Sequence, residues 1–161
     1  MFRFAISVFD FLRSSLFPMA GVQAGIRIDQ DIIDTFYELQ RNKSFDFIIY
    51  KISDDRTHVE LDYTHPREAK FNYQSFLDKI IQYQICVYAI LDYQYQSRDG
   101  SPMSKIFMIN WNPEEAPIRS KMLFASTKGQ LRDALEKTQK TLDVSGQEDL
   151  DEAEIGKALG L

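Results

Sequence analysis

Apolar and polar positions recur along this chain with two periods, and the changes of period mark its elements. Ile32, Phe36 and Leu39 return at three- to four-residue spacing, which places them on one side of a helix opening near Asp29. Asp29 is a plausible cap, and Asp31 adds negative charge to the first turn, where the helix dipole favours it. The stretch FDFIIYKI (45–52) is β-branched and aromatic and reads as a strand. THVELDYT (57–64) alternates as its hairpin partner across Asp54-Asp55. Helical spacing returns over 72–81, with Tyr73, Phe76, Leu77 and Ile80 inward. ICVYAILDYQYQ (85–96) begins almost wholly apolar, as a strand covered on both faces does. Asp99-Gly100 then supplies the turn into a strand over 103–111. Asn112-Pro113-Glu114-Glu115 resembles a capped turn, and Pro117, which has no N–H to donate, marks the start of a long helix. A short extended piece over 141–144 and an acidic helix over 148–159 close the chain. Strands alternating with helices, together with two hairpins, predict a single α/β (α+β) domain. Its central mixed sheet has about five to six strands, with helices on both faces.

The long helix carries more apolar surface than that plan needs. At about 100° per residue, Leu123, Phe124, Leu131, Ala134 and Leu135 share one side. Ile118, Met122, Ala125 and Gly129 fall roughly opposite, spaced i, i+4, i+7, i+11. Arg119, Lys121, Lys128 and Arg132 lie between or beside the two stripes. A surface helix needs one greasy face only, because the other meets water. The second stripe includes the small Ala125 and Gly129, with Ser126 beside it, and the adaptable Met122. Its basic flanks lack acids at i±4 except towards Asp133 and Glu136. Such a helix fits an apolar groove with an acidic rim. The plainer alternative is that Ile118 and Met122 pack under a neighbouring loop.

Length and charge narrow the setting. A chain of 161 residues is enough for one core. The net charge of −5 disfavours nucleic acid as a partner, though it permits a local basic patch. One cysteine, Cys86, excludes an internal disulfide and suits a reducing, cytoplasmic setting. The first eighteen residues, MFRFAISVFDFLRSSLFP, are Phe-rich and broken by Arg3, Asp10 and Arg13. They make a poor secretory signal. We treat 1–18 as an extension, a possible upstream start before Met19, or a targeting or partner-contact segment, and 19–161 as the domain.

Enzyme chemistry is hard to find. His58 and His65 have no companion at zinc-like spacing and read as surface histidines, so neither metal nor cofactor is expected. Cys86 lies in an apolar strand as a small hydrophobe. Asp92 reads as a strand-end acid bonded to backbone, without the tuned neighbour that acid–base work needs. The seven glycines form no phosphate-cradling loop.

The segment WNPEEAPIRSKMLFASTKGQLRDAL (111–135) resembles the signature of the actin-depolymerising factor/cofilin family. VYAILDYQYQ and FDFIIYKI resemble the family's strands in the same order, so the resemblance runs from Ala24 to about Ala158. It implies the ADF-homology fold, a monomeric cytoskeletal protein, and binding to actin monomers and filaments that promotes depolymerisation. It assigns actin contacts to Ala24, Gly25, Ile26, Ile118, Arg119, Lys121, Met122, Ala125, Ser126 and Lys128. It also implies a phosphoinositide site competing with actin at Arg119, Lys121, Lys128 and Arg132. Three departures accompany the match. Ala24 stands where relatives often carry a regulatory serine. Of the basic cluster that usually precedes the fourth strand, only Lys105 remains. The last helix offers Lys157 amid Glu148, Asp149, Asp151, Glu152 and Glu154, so filament binding and severing are expected to be weak. The rival within the same fold acts on actin-related branch complexes, and the RSKM helix argues against it. A rival of another class is a lipid-surface protein anchored by residues 1–18.

Overall fold

The computed structural model describes residues 25–136, 138 and 140–161. Expectations for 1–18 and for Ala24 therefore fall outside the described residues. Helix α1 (Gln30–Gln40) is followed by the hairpin β1 (Phe45–Ile52) and β2 (Val59–Pro66), helix α2 (Tyr73–Ile80), and the hairpin β3 (Val87–Gln96) and β4 (Pro102–Trp111). The long helix α3 (Ile118–Ala134) leads to β5 (Lys140–Val144), a 3-10 turn (Gln147–Leu150) and α4 (Glu152–Leu159).

The sheet has five strands in the order β2-β1-β3-β4-β5. All pairs are antiparallel except β4 with β5, where Ile109 lies beside Leu142. Parallel neighbours need a crossover, and α3 is that crossover. Its place on the sheet is thus set by connectivity, and half of its circumference is left facing outward. One sheet face carries Ile48, Tyr50, Tyr88, Ile90 and Met108 against α1 and α3. The other carries Phe47, Ile49, Ala89, Leu91 and Phe107 against α2 and α4. Strand β3 is buried on both faces from Val87 to Tyr93, as its apolar run implied.

Several local expectations need correction. Asp29 stands at the N-cap of α1, but its carboxylate takes Arg27 Nε at 2.6 Å and caps nothing. Strand β2 begins two residues later than its alternation suggested, because the hairpin loop is longer than Asp54-Asp55. Asp55 accepts from Ser53 Oγ (2.6 Å), Thr57 N (3.1 Å) and Thr57 Oγ1 (2.7 Å), and Arg56 takes a left-handed φ of 60° at the tip. Those hydrogen bonds from Ser53 and Thr57 hold the Asp55 carboxyl down at about 2. The acidic tail is two pieces, not one helix. Asp151 interrupts it in an extended conformation and caps α4 by accepting from Ala153 N at 2.9 Å.

Asp92 is fully buried, but its partners are cations, not backbone. Its Oδ2 takes Lys43 Nζ at 3.0 Å and Arg67 Nη1 at 2.9 Å. Arg67 also reaches buried Asp46 at 3.2 Å, so two acids and two cations clasp the end of the sheet beyond α1. A buried carboxylate is tolerated when it is paired in this way.

Candidate functional site

Helix α3 buries Phe124, Thr127, Leu131 and the following Leu135 at spacing i, i+3, i+7, i+11. Phe124 stacks on Tyr88, ring centroids 4.2 Å apart, and its carbonyl accepts the Tyr88 hydroxyl at 2.6 Å. Sequence periodicity missed Thr127, which enters the core because its hydroxyl donates back to Leu123 O at 2.8 Å. Leu123 and Ala134, assigned to that side, are only half-buried.

On the other side, Ile118 is 76% and Met122 68% exposed, the two most exposed large hydrophobic side chains among the described residues. Ala125 and Ser126 continue the exposed ridge, and Gly129 ends it half-buried. No described segment covers it. The packing alternative for Ile118 and Met122 is excluded among the described residues.

The residues before α1 complete this surface. Arg27 pairs with the hairpin loop through Arg27 N to Thr57 O (2.8 Å) and Val59 N to Arg27 O (2.9 Å), and Gln130 of α3 donates to Ile26 O at 3.0 Å. Ile26, named above as a contact, is a core residue at 5% exposure, and what it shows to the outside is a small part of the depression beside Met122. Its neighbour Gly25 is exposed and lines that shallow depression with Ile26, Arg56, Arg119, Met122, Leu123 and Ser126. Arg56 was invisible to sequence reasoning. It is one residue of a hairpin tip, brought beside α3 only by the fold.

The basic residues divide into free and engaged. Arg119 is exposed and makes no ion pair among the described residues. Lys121 is half-buried and donates to Glu114 O at 3.2 Å. Lys128, expected to lack an acidic match, meets both oxygens of Asp143 on β5 at 3.0 and 3.1 Å. Burial raises the Asp143 carboxyl, but hydrogen bonds from Lys128 and Asn110 outweigh it and the net shift is downward. Arg132 lies 3.7 Å from Asp133. Elsewhere, Lys105 sits over the Tyr95 ring at 5.8 Å, and Lys157 is held by Glu154 at 2.7 Å.

Other chemistry recedes. Burial pushes the Cys86 thiol up, and it donates to Asn112 Oδ1 at 3.4 Å, which makes it a poor nucleophile. His65 is no simple surface residue. It stacks on Phe47 at 4.6 Å and shares a hydrogen bond with Glu68 at 3.0 Å. Asp46, His65 and Glu68 bring ligand-type atoms within 4.8 Å of one another. Yet Asp46 is already bonded to Arg67, Gln94 and the Glu68 N–H. Among the described residues no helix is long and apolar enough to cross a membrane.

Residues 25–160 match the model of the family described as cofilin/tropomyosin-type actin-binding protein. The chain belongs to the cofilin/ADF family. It is 34% identical over 114 residues to cofilin of Mycosarcoma maydis, covering 71% of this chain and 79% of that protein. It is 32% identical over 138 residues to actin-depolymerizing factor 7 of Oryza sativa subsp. japonica, covering 86% and 94%. In structure it resembles Plasmodium berghei actin depolymerization factor 2, with a TM-score of 0.74 at 21% identity, covering 85% of this chain and 98% of that one. Cofilin/ADF proteins are actin-binding proteins, not enzymes.

Proposed function

We propose that the outer face of α3 docks against actin monomers and filaments and promotes filament depolymerisation. The observation that carries this reading is the exposed pair Ile118 and Met122 beside Arg119, which makes no ion pair among the described residues. Aliphatic anchors with a charged neighbour are what a partner cleft desolvates at the centre of an interface. Gly25, Ala125 and Ser126 permit close approach around them, and Lys121, Arg56 and Lys128 stand at the rim. In a pyrene-actin assay, Arg119→Ala/Lys121→Ala is expected to slow depolymerisation about tenfold at equal concentration, of the order that one or two lost charged contacts give. An unchanged rate would remove α3 from the interface.

The filament side of the function is weak in this reading. Lys157 is tied to Glu154 on an acidic helix, and Lys105 has only Ser101, Pro102, Met103 and Ser104 before it. Ser104→Lys/Glu154→Lys is therefore expected to raise severing several-fold in single-filament microscopy. Robust severing by the unmodified chain at low ratios to actin would contradict the idea. A phosphoinositide headgroup competing with actin would rely on Arg119 and Lys121, since Lys128 and Arg132 each have a carboxylate within 4 Å. We take the working form to be a cytoskeletal monomer.

A further inference from the structure

We propose that the tip of the β1–β2 hairpin is a second docking element for actin, in which Arg56 and Arg119 together receive one carboxylate of the partner. This rests on the reading of the outer face of α3 as the actin site, and it adds an element far from α3 in the chain.

Arg56 stands in a backbone conformation that a side-chain-bearing residue adopts only at a cost. Its φ is 60°, in the left-handed region where glycine sits more easily. Among the described residues one other non-glycine residue has positive φ, Lys43 at 54°, and its ammonium holds buried Asp92 at 3.0 Å. Arg56 has no such internal partner. It is exposed, and its guanidinium makes no hydrogen bond or ion pair among the described residues. A strained residue with no use inside the chain points to a use outside it.

The loop is braced so that this side chain is held out in advance. Arg56 N donates to Ser53 O at 2.9 Å, and the buried Ser53 hydroxyl accepts from Thr57 N and His58 N, both at 3.2 Å. The Asp55 carboxylate is taken up by Ser53 and Thr57 and does not pair with its neighbour Arg56. From the other side, Arg27 ties the loop to the residues before α1 through Thr57 O and Val59 N. A contact fixed beforehand loses less entropy when a partner arrives.

Arg56 and Arg119 line one depression with Met122 and Leu123, and no carboxylate is among its lining residues. Arg119 likewise makes no ion pair among the described residues. Two guanidiniums at one hollow, in a chain whose net charge is −5, leave the counter-ion to be supplied from outside. The planar fork of arginine matches a carboxylate with paired hydrogen bonds. Exposed Ile118 and Met122 adjoin the pair on α3, so the surface as a whole fits a protein that sets an acid beside an apolar patch.

The test measures ADP-actin monomer affinity and melting temperature for the full chain, Arg56→Gly, Arg56→Glu and Arg119→Ala. Glycine relieves the backbone at this φ, so Arg56→Gly is expected to melt no lower than the parent. Its Kd for actin is expected to rise about fivefold. Arg56→Glu sets like charge against the partner and is expected to raise Kd at least about thirtyfold. Carbodiimide coupling of Arg56→Lys to actin, mapped by peptide mass spectrometry, is expected to join position 56 to an aspartate or glutamate of actin. Parental affinity in both Arg56→Gly and Arg56→Glu, with Arg119→Ala weakened, removes the hairpin from the interface and leaves the actin reading standing. Weaker binding by Arg56→Gly together with a lower melting temperature assigns Arg56 to holding its loop and overturns the proposal. Unchanged actin affinity in Arg56→Gly, with flotation on phosphoinositide vesicles lost, assigns the pair to lipid and overturns it as well. A parent chain that binds no actin overturns the actin reading itself, and the proposal falls with it.

Discussion

A chain carrying Ile118→Asp and Met122→Asp is expected to bind actin monomers more than a hundredfold less tightly while unfolding at the same temperature. The two effects separate because both side chains already stand in water, at 76% and 68% exposure. Charging them costs the folded monomer almost nothing, since surface substitutions away from special features stay within about 0.5 kcal/mol. At an interface the same carboxylates would be desolvated at the place where apolar anchors belong. Hot-spot losses of about 3 kcal/mol correspond to more than two orders of magnitude in Kd. Isothermal titration against ADP-actin monomers, paired with a thermal melt, reads both. Binding that survives the double charge would show that the ridge is not what actin meets.

Phe124→Ala, on the opposite side of the same helix, is expected to do the reverse. Phe124 is 3% exposed, stacks on Tyr88, and presents its carbonyl to the Tyr88 hydroxyl. Removing the ring leaves a cavity between α3 and the sheet and loses about 3–5 kcal/mol. For a chain of this length that lowers the midpoint by roughly 10 °C. Below the new midpoint the folded fraction retains Ile118, Met122 and Arg119 in place, so its affinity for actin is expected to stay within about threefold. A variant that melts normally, or one that binds poorly while fully folded, would mean that the two faces of α3 are not independent.

The division between the faces was partly legible in the chain. Two stripes at helical spacing told that α3 faces both a core and something else, because periodicity records which side of an element avoids water. It did not tell that Thr127 belongs inside, since a threonine is counted polar until its hydroxyl is seen to satisfy itself on Leu123 O. Nor did it tell that Ile26 is core while Gly25 is surface. Those two residues precede any periodic element, and their burial is set by Gln130 and the β1–β2 loop.

Charge pairing was the least legible part. Lys128 finds Asp143 fifteen residues away, and Asp92 finds Lys43 and Arg67 at separations of 49 and 25. Local rules look three or four residues along a helix and so pass over such pairs. The consequence is functional: of four basic residues flanking the ridge, Arg119 is the one left without a carbonyl or carboxylate partner among the described residues.

The sequence by itself determined the order and kind of the elements ahead of the acidic tail, the doubly buried β3 and the surplus apolar stripe on α3. Each of these is written in short-range spacing and composition, which the solvent reads directly. Only the tertiary structure decided that no other described segment covers the stripe, that Arg56 and Gly25 join it, and which cations there pair with described carboxylates. Those outcomes depend on distant segments meeting, and the crossover between parallel β4 and β5 is what turns the second face of α3 outward.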